Sequence, residues 1–436
     1  MRAFVHAYIV TCDEKFSCFE DGMLILDGEL IHYCGPYDTS KLDNVQTIID
    51  YTGHWIMPGL VNVHTHSPMS LLRGVEDDAP LMAWLEQSIW PNEAKFTPEI
   101  TKAATELALV EMLKSGTTTF NDMYNPQGVD IDQIYESVKA SGMRCYFSPT
   151  LFSAENESTM ETIEKTKAVL QRVIAKNDDK FKVMVAPHSP YTCSTELLEA
   201  SLKLAKELSL MLHIHVAETE QEQATLQERY SQRALPYLQS LGYLDHPTVM
   251  AHCVTLNPEE MMVLAKSKAR VAHNPVSNLK LASGIANIAS MLAMDIKVGI
   301  ATDSVASNNT LDLFKEGRQA ALLQKGLHHD ATRMTIEKTL KAMTIGGAEV
   351  LQLDDSIGSL EVDKQGDFLV IDPRNKPHLY PLHHVLSHLV YAVQSGDVKD
   401  VYVGGEKVLA NGEVVGVNEF DVLKNASNAS QFLYEQ

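Results

Sequence analysis

His64 and His66 stand two residues apart at the end of an apolar run, Pro58-Gly59-Leu60-Val61-Asn62-Val63-His64-Thr65-His66. If the run is a buried strand, both imidazoles leave it on one face. Two ligands of a single metal ion need that arrangement. An isolated His-x-His is more often a surface pair near a turn, so the rest of the chain has to decide. Other strand-like runs also end in His or Asp: His188, His215 with Glu218 just beyond it, His252, His273 and Asp303. Three neutral imidazoles and one carboxylate, His64, His66, His215 and Asp303, make a set suited to Zn²⁺, with Fe²⁺ or Mn²⁺ as alternatives. The fourth run ends Val185-Ala186-Pro187-His188, with no lysine to be carbamylated and bridge two metals. One metal per subunit is therefore expected.

The elements that must carry these residues are short β-rich runs alternating with longer helical patterns. The strand-like runs cover 60–66, 117–122, 143–150, 181–188, 211–217, 248–253, 270–274 and 297–303. Helical segments lie between them; those at 98–114 and 195–208 open at Thr97-Pro98 and Ser194-Thr195 in N-cap fashion. Eight strands alternating with helices argue for parallel βα units, and eight is the number that closes a (β/α)8 TIM barrel. Catalytic groups of such a barrel sit at the C-terminal ends of its strands, where all of the residues above fall.

The flanks differ. Residues 1–57 read as strands broken by turns at Asp21-Gly22, Asp27-Gly28 and Gly35-Pro36, and residues from about 360 onward repeat that character up to Asn411-Gly412. The expected fold class is α/β. A TIM-barrel domain at 58–358 is inserted into a small β-sandwich domain built from 1–57 and 359–436. The last fifteen or so residues, rich in Asn and Ser, are expected to fray.

Composition narrows the function classes. The 436 residues are 45% apolar and 21% charged, ordinary for a soluble globular protein. The net charge of −21 is the opposite of a nucleic-acid footprint and speaks against polyanion partners. No run approaches the ~18 apolar residues that span a membrane. The N-terminus lacks a secretory pattern, so a cytoplasmic protein is expected. Six cysteines (12, 18, 34, 145, 193 and 253) without any Cys-x-x-Cys read as buried or incidental thiols, not as a disulfide framework. The sequence leaves a homo-oligomer open.

Several motifs carry a resemblance across essentially the whole chain. They are the segment ending His64-Thr65-His66, Trp90-Pro91-Asn92-Glu93, Gly116-Thr117-Thr118-Thr119, Pro187-His188-Ser189-Pro190-Tyr191 and His213-Ile214-His215-Val216-Ala217-Glu218. Ala251-His252-Cys253, the stretch His273 to Lys280, and Thr302-Asp303-Ser304 complete the series. The chain resembles the amidohydrolase superfamily and, within it, the 5′-methylthioadenosine/S-adenosylhomocysteine deaminase branch. The resemblance implies hydrolytic deamination of an adenine nucleoside to the inosine analogue and ammonia. It implies that Glu93 binds the ribose hydroxyls and that His188 contacts the nucleoside. A bound Zn²⁺ supplies a water acidic enough to ionise near neutral pH. Asp303 takes the water's proton, His252 orients or polarises that water, and Glu218 protonates N1 of the purine before attack at C6.

The branch commonly has an arginine near the end of the third strand. Here the run reads Cys145-Tyr146-Phe147-Ser148-Pro149-Thr150, with Arg144 earlier. The departure predicts that a neutral methylthio tail is taken ahead of, or level with, a zwitterionic homocysteine tail. Residues 73–95, with Trp84, Leu85 and Trp90, read either as an amphipathic helix packed on the barrel or as a lid offering that tail an apolar wall. The alternative activity is another hydrolase of the same scaffold, acting on guanine, cytosine or an s-triazine. Fold and metal do not separate these; the pocket does. An inactive scaffold predicts missing ligands, and none is missing. The His-x-Glu and Pro-Cys-x-x-Cys pattern of nucleic-acid deaminases is absent.

Overall fold

The computed structural model describes residues 1–124, 128–153 and 157–434. Eight parallel strands, separated by helices, run through its central part: β1 (Leu60–Thr65), β2 (Thr117–Tyr124), β3 (Arg144–Leu151), β4 in two pieces (Phe181–Val183 and Ala186–Pro187), β5 (Leu212–Val216), β6 (Thr248–His252), β7 (Ala269–His273) and β8 (Val298–Ile300). They pair in sequence order within two arcs, β1 to β4 and β5 to β8. Between the arcs, Val185 bridges Leu212, and the His213 amide donates to the Val185 carbonyl at 3.0 Å. At the other junction Thr65 bridges Asp303, whose amide donates to the His64 carbonyl at 3.0 Å. Every residue of β1, β2, β5 and β6 is buried, as parallel strands covered on both faces must be. Val61, Val63, Met184, Val249, Ala251, Ala272 and Ala301, from strands of both arcs, share one buried apolar cluster.

Two expectations about strands need adjusting. The fourth run is interrupted at Met184-Val185 but keeps its register, with Val183 opposite Phe147 and Ala186 opposite Thr150. The eighth ends at Ile300, and Asp303 is held beyond it by the bridge to Thr65. The helices begin where their caps predict. Thr97 Oγ1 accepts the Ile100 amide before Pro98–Lys114, and Ser194 Oγ accepts the Leu197 amide before Thr195–Leu208.

The two ends of the chain form one nine-stranded sheet. They meet where Phe368–Ile371 pairs antiparallel with Trp55–Pro58. Asn411-Gly412, with φ of +51° and +79°, makes the tight hairpin its residue types demand. Asp21-Gly22 does not turn: it lies inside Cys18–Asp27, beside register shifts in the facing strand. A Cβ on Gly22 would stand 2.6 Å from Ile9 Cγ1, so this glycine serves a close approach. The C-terminal segment does not fray either. Glu419–Tyr434 is a helix against Pro98–Lys114; Leu433 is buried and the Tyr434 hydroxyl donates to the Leu71 carbonyl at 3.1 Å. All six cysteines are free thiols. Among the described residues no helix is long and apolar enough to cross a membrane.

Candidate active site

The strand ends bring His64, His66, His215, His252, Glu218 and Asp303 to one place. Asp303 Oδ1 lies 3.4 Å from His64 Nε2 and 3.3 Å from His66 Nε2, and His66 Nε2 lies 3.4 Å from His215 Nε2. His252 Nε2 is 3.8 Å from Glu218 Oε2 and 3.9 Å from Asp303 Oδ2. The donor atoms of His64, His66 and His215 lie within 4.8 Å of one another, as do those of His64, His252 and Asp303.

The other ring nitrogens are already used. His66 Nδ1 faces the Met123 carbonyl at 2.5 Å and His215 Nδ1 the His188 carbonyl at 2.8 Å. A carbonyl only accepts, so both Nδ1 atoms carry the proton and both Nε2 lone pairs point inward. His64 Nε2 is buried and has no hydrogen-bond partner. A buried orphan nitrogen facing a carboxylate and two inward lone pairs fits a divalent cation. The electrostatics agree for His64 and His215, whereas at His66 burial is outweighed by Asp303 and Asp122, which raise its pKa. Burial pushes the His64 pKa down to about 4 and lowers that of His215, so both rings are neutral ligands. Burial alone would raise the Asp303 pKa, but the facing His64 and His66 rings, 3.4 and 3.3 Å away, hold it well below the usual carboxylate range.

Local backbone geometry aims these groups. Ala217, His252, Cys253 and Asp303 all have positive φ, between +50° and +75°, just where β5, β6 and β8 end. Non-glycine residues in this region mark strained, over-determined sites. Glu222 holds one of these turns. Its carboxylate accepts the Ala217 amide at 2.9 Å and the Glu218 amide at 2.7 Å, which fixes the backbone from which Glu218 projects. Burial raises the Glu218 pKa, partly offset by His252, so its acid form persists to higher pH than an exposed glutamate's. His252 is anchored from behind, its Nδ1 2.8 Å from Asn278 Oδ1.

A cavity of about 850 Å³ opens over this cluster. Glu93 and His188 both line it. Glu93 hydrogen-bonds Tyr124, and burial raises its pKa to about 7. His188 stacks on Phe152 with ring centroids 4.4 Å apart, and its Nδ1 lies 2.9 Å from Thr192 Oγ1. The stretch over β1 is a short helix, Leu81–Trp84, a π turn, Leu85–Ile89, and a second short helix, Trp90–Glu93. Pro91 has no N–H for an intrahelical bond, and the widened turn closes from the Trp90 amide to the Leu85 carbonyl. Leu81, Trp84, Leu85, Ile89 and Trp90 thereby form an apolar wall of the cavity.

His273 does not join the site. It is buried, both ring nitrogens lack partners, and it is not among the cavity-lining residues. Arg144 is committed elsewhere, its Nε 2.9 Å from Asp367 Oδ2. Three residues at or beside the site were given no role by the sequence reading. Glu222 looks like a surface helix residue, and Lys165 carries no motif. His213 did carry a signal, since it stands two residues before His215 just as His64 stands two before His66.

Residues 55–408 match the model of the amidohydrolase family. The chain belongs to that family. Among its relatives, a protein of Bacillus cytotoxicus named 5-methylthioadenosine/S-adenosylhomocysteine deaminase is 50% identical over 425 residues, 97% of each chain. A Bacillus cereus relative of the same name has the same identity and coverage. The crystal structure of a zinc-bound adenosine deaminase from Xanthomonas campestris is 34% identical and superposes with a TM-score of 0.93 over 100% of this chain and 99% of that one. A zinc-complexed atrazine chlorohydrolase from Arthrobacter aurescens superposes with a TM-score of 0.90 over 99% of this chain and all of its own, at 22% identity, a likeness of fold alone.

Proposed function

We propose that this amidohydrolase deaminates adenine nucleosides bearing a thioether at the 5′ carbon, 5′-methylthioadenosine and S-adenosylhomocysteine, to the inosine analogue and ammonia. The observation that carries the reading is the meeting of a cation donor set with a buried Glu218 and an anchored His252 on one cavity wall. The names of the 50% identical relatives point to the same chemistry. With it we read a closed (β/α)8 barrel at 58–358, on the strength of the two bridges between the arcs. The nine-stranded sheet of 1–57 and 359–436 reads as a sandwich, because Phe4 packs edge-on against both Phe368 and Tyr402 across it.

His64, His66, His215 and Asp303 would hold one cation, with Zn²⁺ favoured by the imidazole-rich set and by the zinc in the structure of the 34% identical neighbour. Bound there, it supplies a water that ionises near neutral pH. Asp303, kept ionised, would accept that water's proton. His252, between Glu218 and Asp303, would steady that water. Glu218, in its acid form, would give a proton to N1 and so make C6 electrophilic; after addition, Asp303 would pass the water's proton to the amino group, which leaves as ammonia, while the C6 hydroxyl proton returns to Glu218 as the carbonyl forms. Elemental analysis of purified protein is expected to give one divalent metal per chain, and two would contradict the mononuclear reading.

Substrate choice follows from the cavity walls. Glu93 beneath the apolar stretch suits ribose hydroxyls, so nucleosides should greatly outperform free adenine or guanine. Lys165 is the single lysine or arginine lining the cavity among the described residues, and Glu157 and Glu161 already hold its Nζ at 2.7 and 3.0 Å. A homocysteine carboxylate must compete with two glutamates for that charge, whereas a methylthio group loses nothing against Trp84 and Leu85. Ammonia release across adenosine, methylthioadenosine, S-adenosylhomocysteine, adenine, guanine and cytosine tests both halves. The expected order in kcat/KM puts methylthioadenosine level with or above S-adenosylhomocysteine. Turnover of free bases alone would reject the nucleoside reading.

A further inference from the structure

His213 lies one alternation before His215 on β5, buried with no exposed surface, and nothing above gives it a role. Its Nε2 is 2.8 Å from His64 Nδ1. Its Nδ1 is 3.4 Å from Ser148 Oγ and 3.2 Å from Asn121 Nδ2. Ser148 Oγ in turn donates to Asn121 Oδ1 at 3.2 Å, and Asn121 Nδ2 donates to the Val63 carbonyl at 3.0 Å. All four side chains are buried, so none can exchange its partner for bulk water.

Proton bookkeeping along this line allows two settings. In one, Asn121 Nδ2 donates to His213 Nδ1, and His213 Nε2–H donates to His64 Nδ1. His64 Nε2 then carries a proton toward Asp303 Oδ1, 3.4 Å away, and cannot bind a cation. In the other, His64 Nδ1–H donates to His213 Nε2, His213 Nδ1–H to Ser148 Oγ, and Ser148 Oγ–H to Asn121 Oδ1, while Asn121 Nδ2 gives up His213 and keeps the Val63 carbonyl. His64 Nε2 is then a bare lone pair. His66 and His215 have no such choice, because carbonyls fix their tautomers. We propose that His213, backed by Ser148, is a positioning residue whose proton relay sets His64 to the tautomer that can ligate the cation. This rests on His64 being a ligand, the reading given above.

The test measures zinc affinity by competition with a chelator, with circular dichroism and melting as fold controls. His213→Leu, which cannot accept from His64 Nδ1–H, is expected to bind zinc roughly 10–100-fold more weakly, the usual cost of losing an outer-shell partner of a ligand. His213→Gln, whose amide oxygen can accept that proton, should recover most of the loss. Ser148→Ala, which removes the acceptor for His213 Nδ1–H, should weaken zinc in the same direction by a smaller factor. A simple packing role for His213 predicts no rescue by Gln and no effect at Ser148. Parental zinc affinity in His213→Leu, or Gln no better than Leu, overturns the proposal; if His213→Leu does not fold, unchanged affinity in Ser148→Ala overturns it. His64→Ala separates the two readings: if it keeps parental affinity, the ligand assignment fails, whatever His213 does.

Discussion

Glu218→Gln is expected to keep its metal and bind methylthioadenosine, yet turn over ~10²–10⁴-fold more slowly, the usual contribution of a positioned general acid–base group. The substitution preserves shape and hydrogen-bonding reach but removes the proton that N1 must receive. Glu218 stands 3.8 Å from His252 Nε2 and makes no contact with the three inward Nε2 atoms, so the donor set should be untouched. Burial has already raised its pKa, which favours the acid form that the first step needs. Elemental analysis and single-turnover rates on the same preparation separate loss of chemistry from loss of metal. Near-normal turnover would remove Glu218 from the mechanism, and loss of metal would make it a ligand.

Replacing His64 and His66 together by alanine should leave protein with essentially no bound metal and only background activity. The pair supplies two of the four donors and two of the inward-facing ring nitrogens. It also takes from Asp303 the two imidazoles nearest its carboxylate, at 3.4 and 3.3 Å, which help to hold it ionised. Asp303 would then be a buried carboxylate left with the Ser277 hydroxyl, the Ser304 amide and His252, and its pKa should rise. Because the strand is buried throughout, the melting temperature must be recorded beside the metal content. Folded protein with full metal occupancy would place the cation elsewhere.

Much of this was legible in the chain itself. His64, His66, His215 and Asp303 could be picked out because parallel strands are buried on both faces and polar residues at their ends have few structural reasons to be there. The caps at Thr97 and Ser194 and the Asn411-Gly412 hairpin are local chemistry, decided within four residues, and the structure has each where the residue types require it.

Other features depend on partners far away in sequence. Gly22 looks like a turn glycine until Ile9 is seen 2.6 Å from where its Cβ would be. The Asn- and Ser-rich tail looks frayed until Leu71 and the helix Pro98–Lys114 provide surfaces for it. Arg144 could have been a substrate contact, but Asp367, more than two hundred residues later, claims it. His273 shares every sequence attribute of His252, yet only His252 has Glu218 and Asp303 within 4 Å. Residue type and strand period therefore determine which side chains arrive at the strand ends. Which of them meet, and which nitrogen of each imidazole is left free, depends on hydrogen bonds between strands whose spacing along the chain carries no local signal.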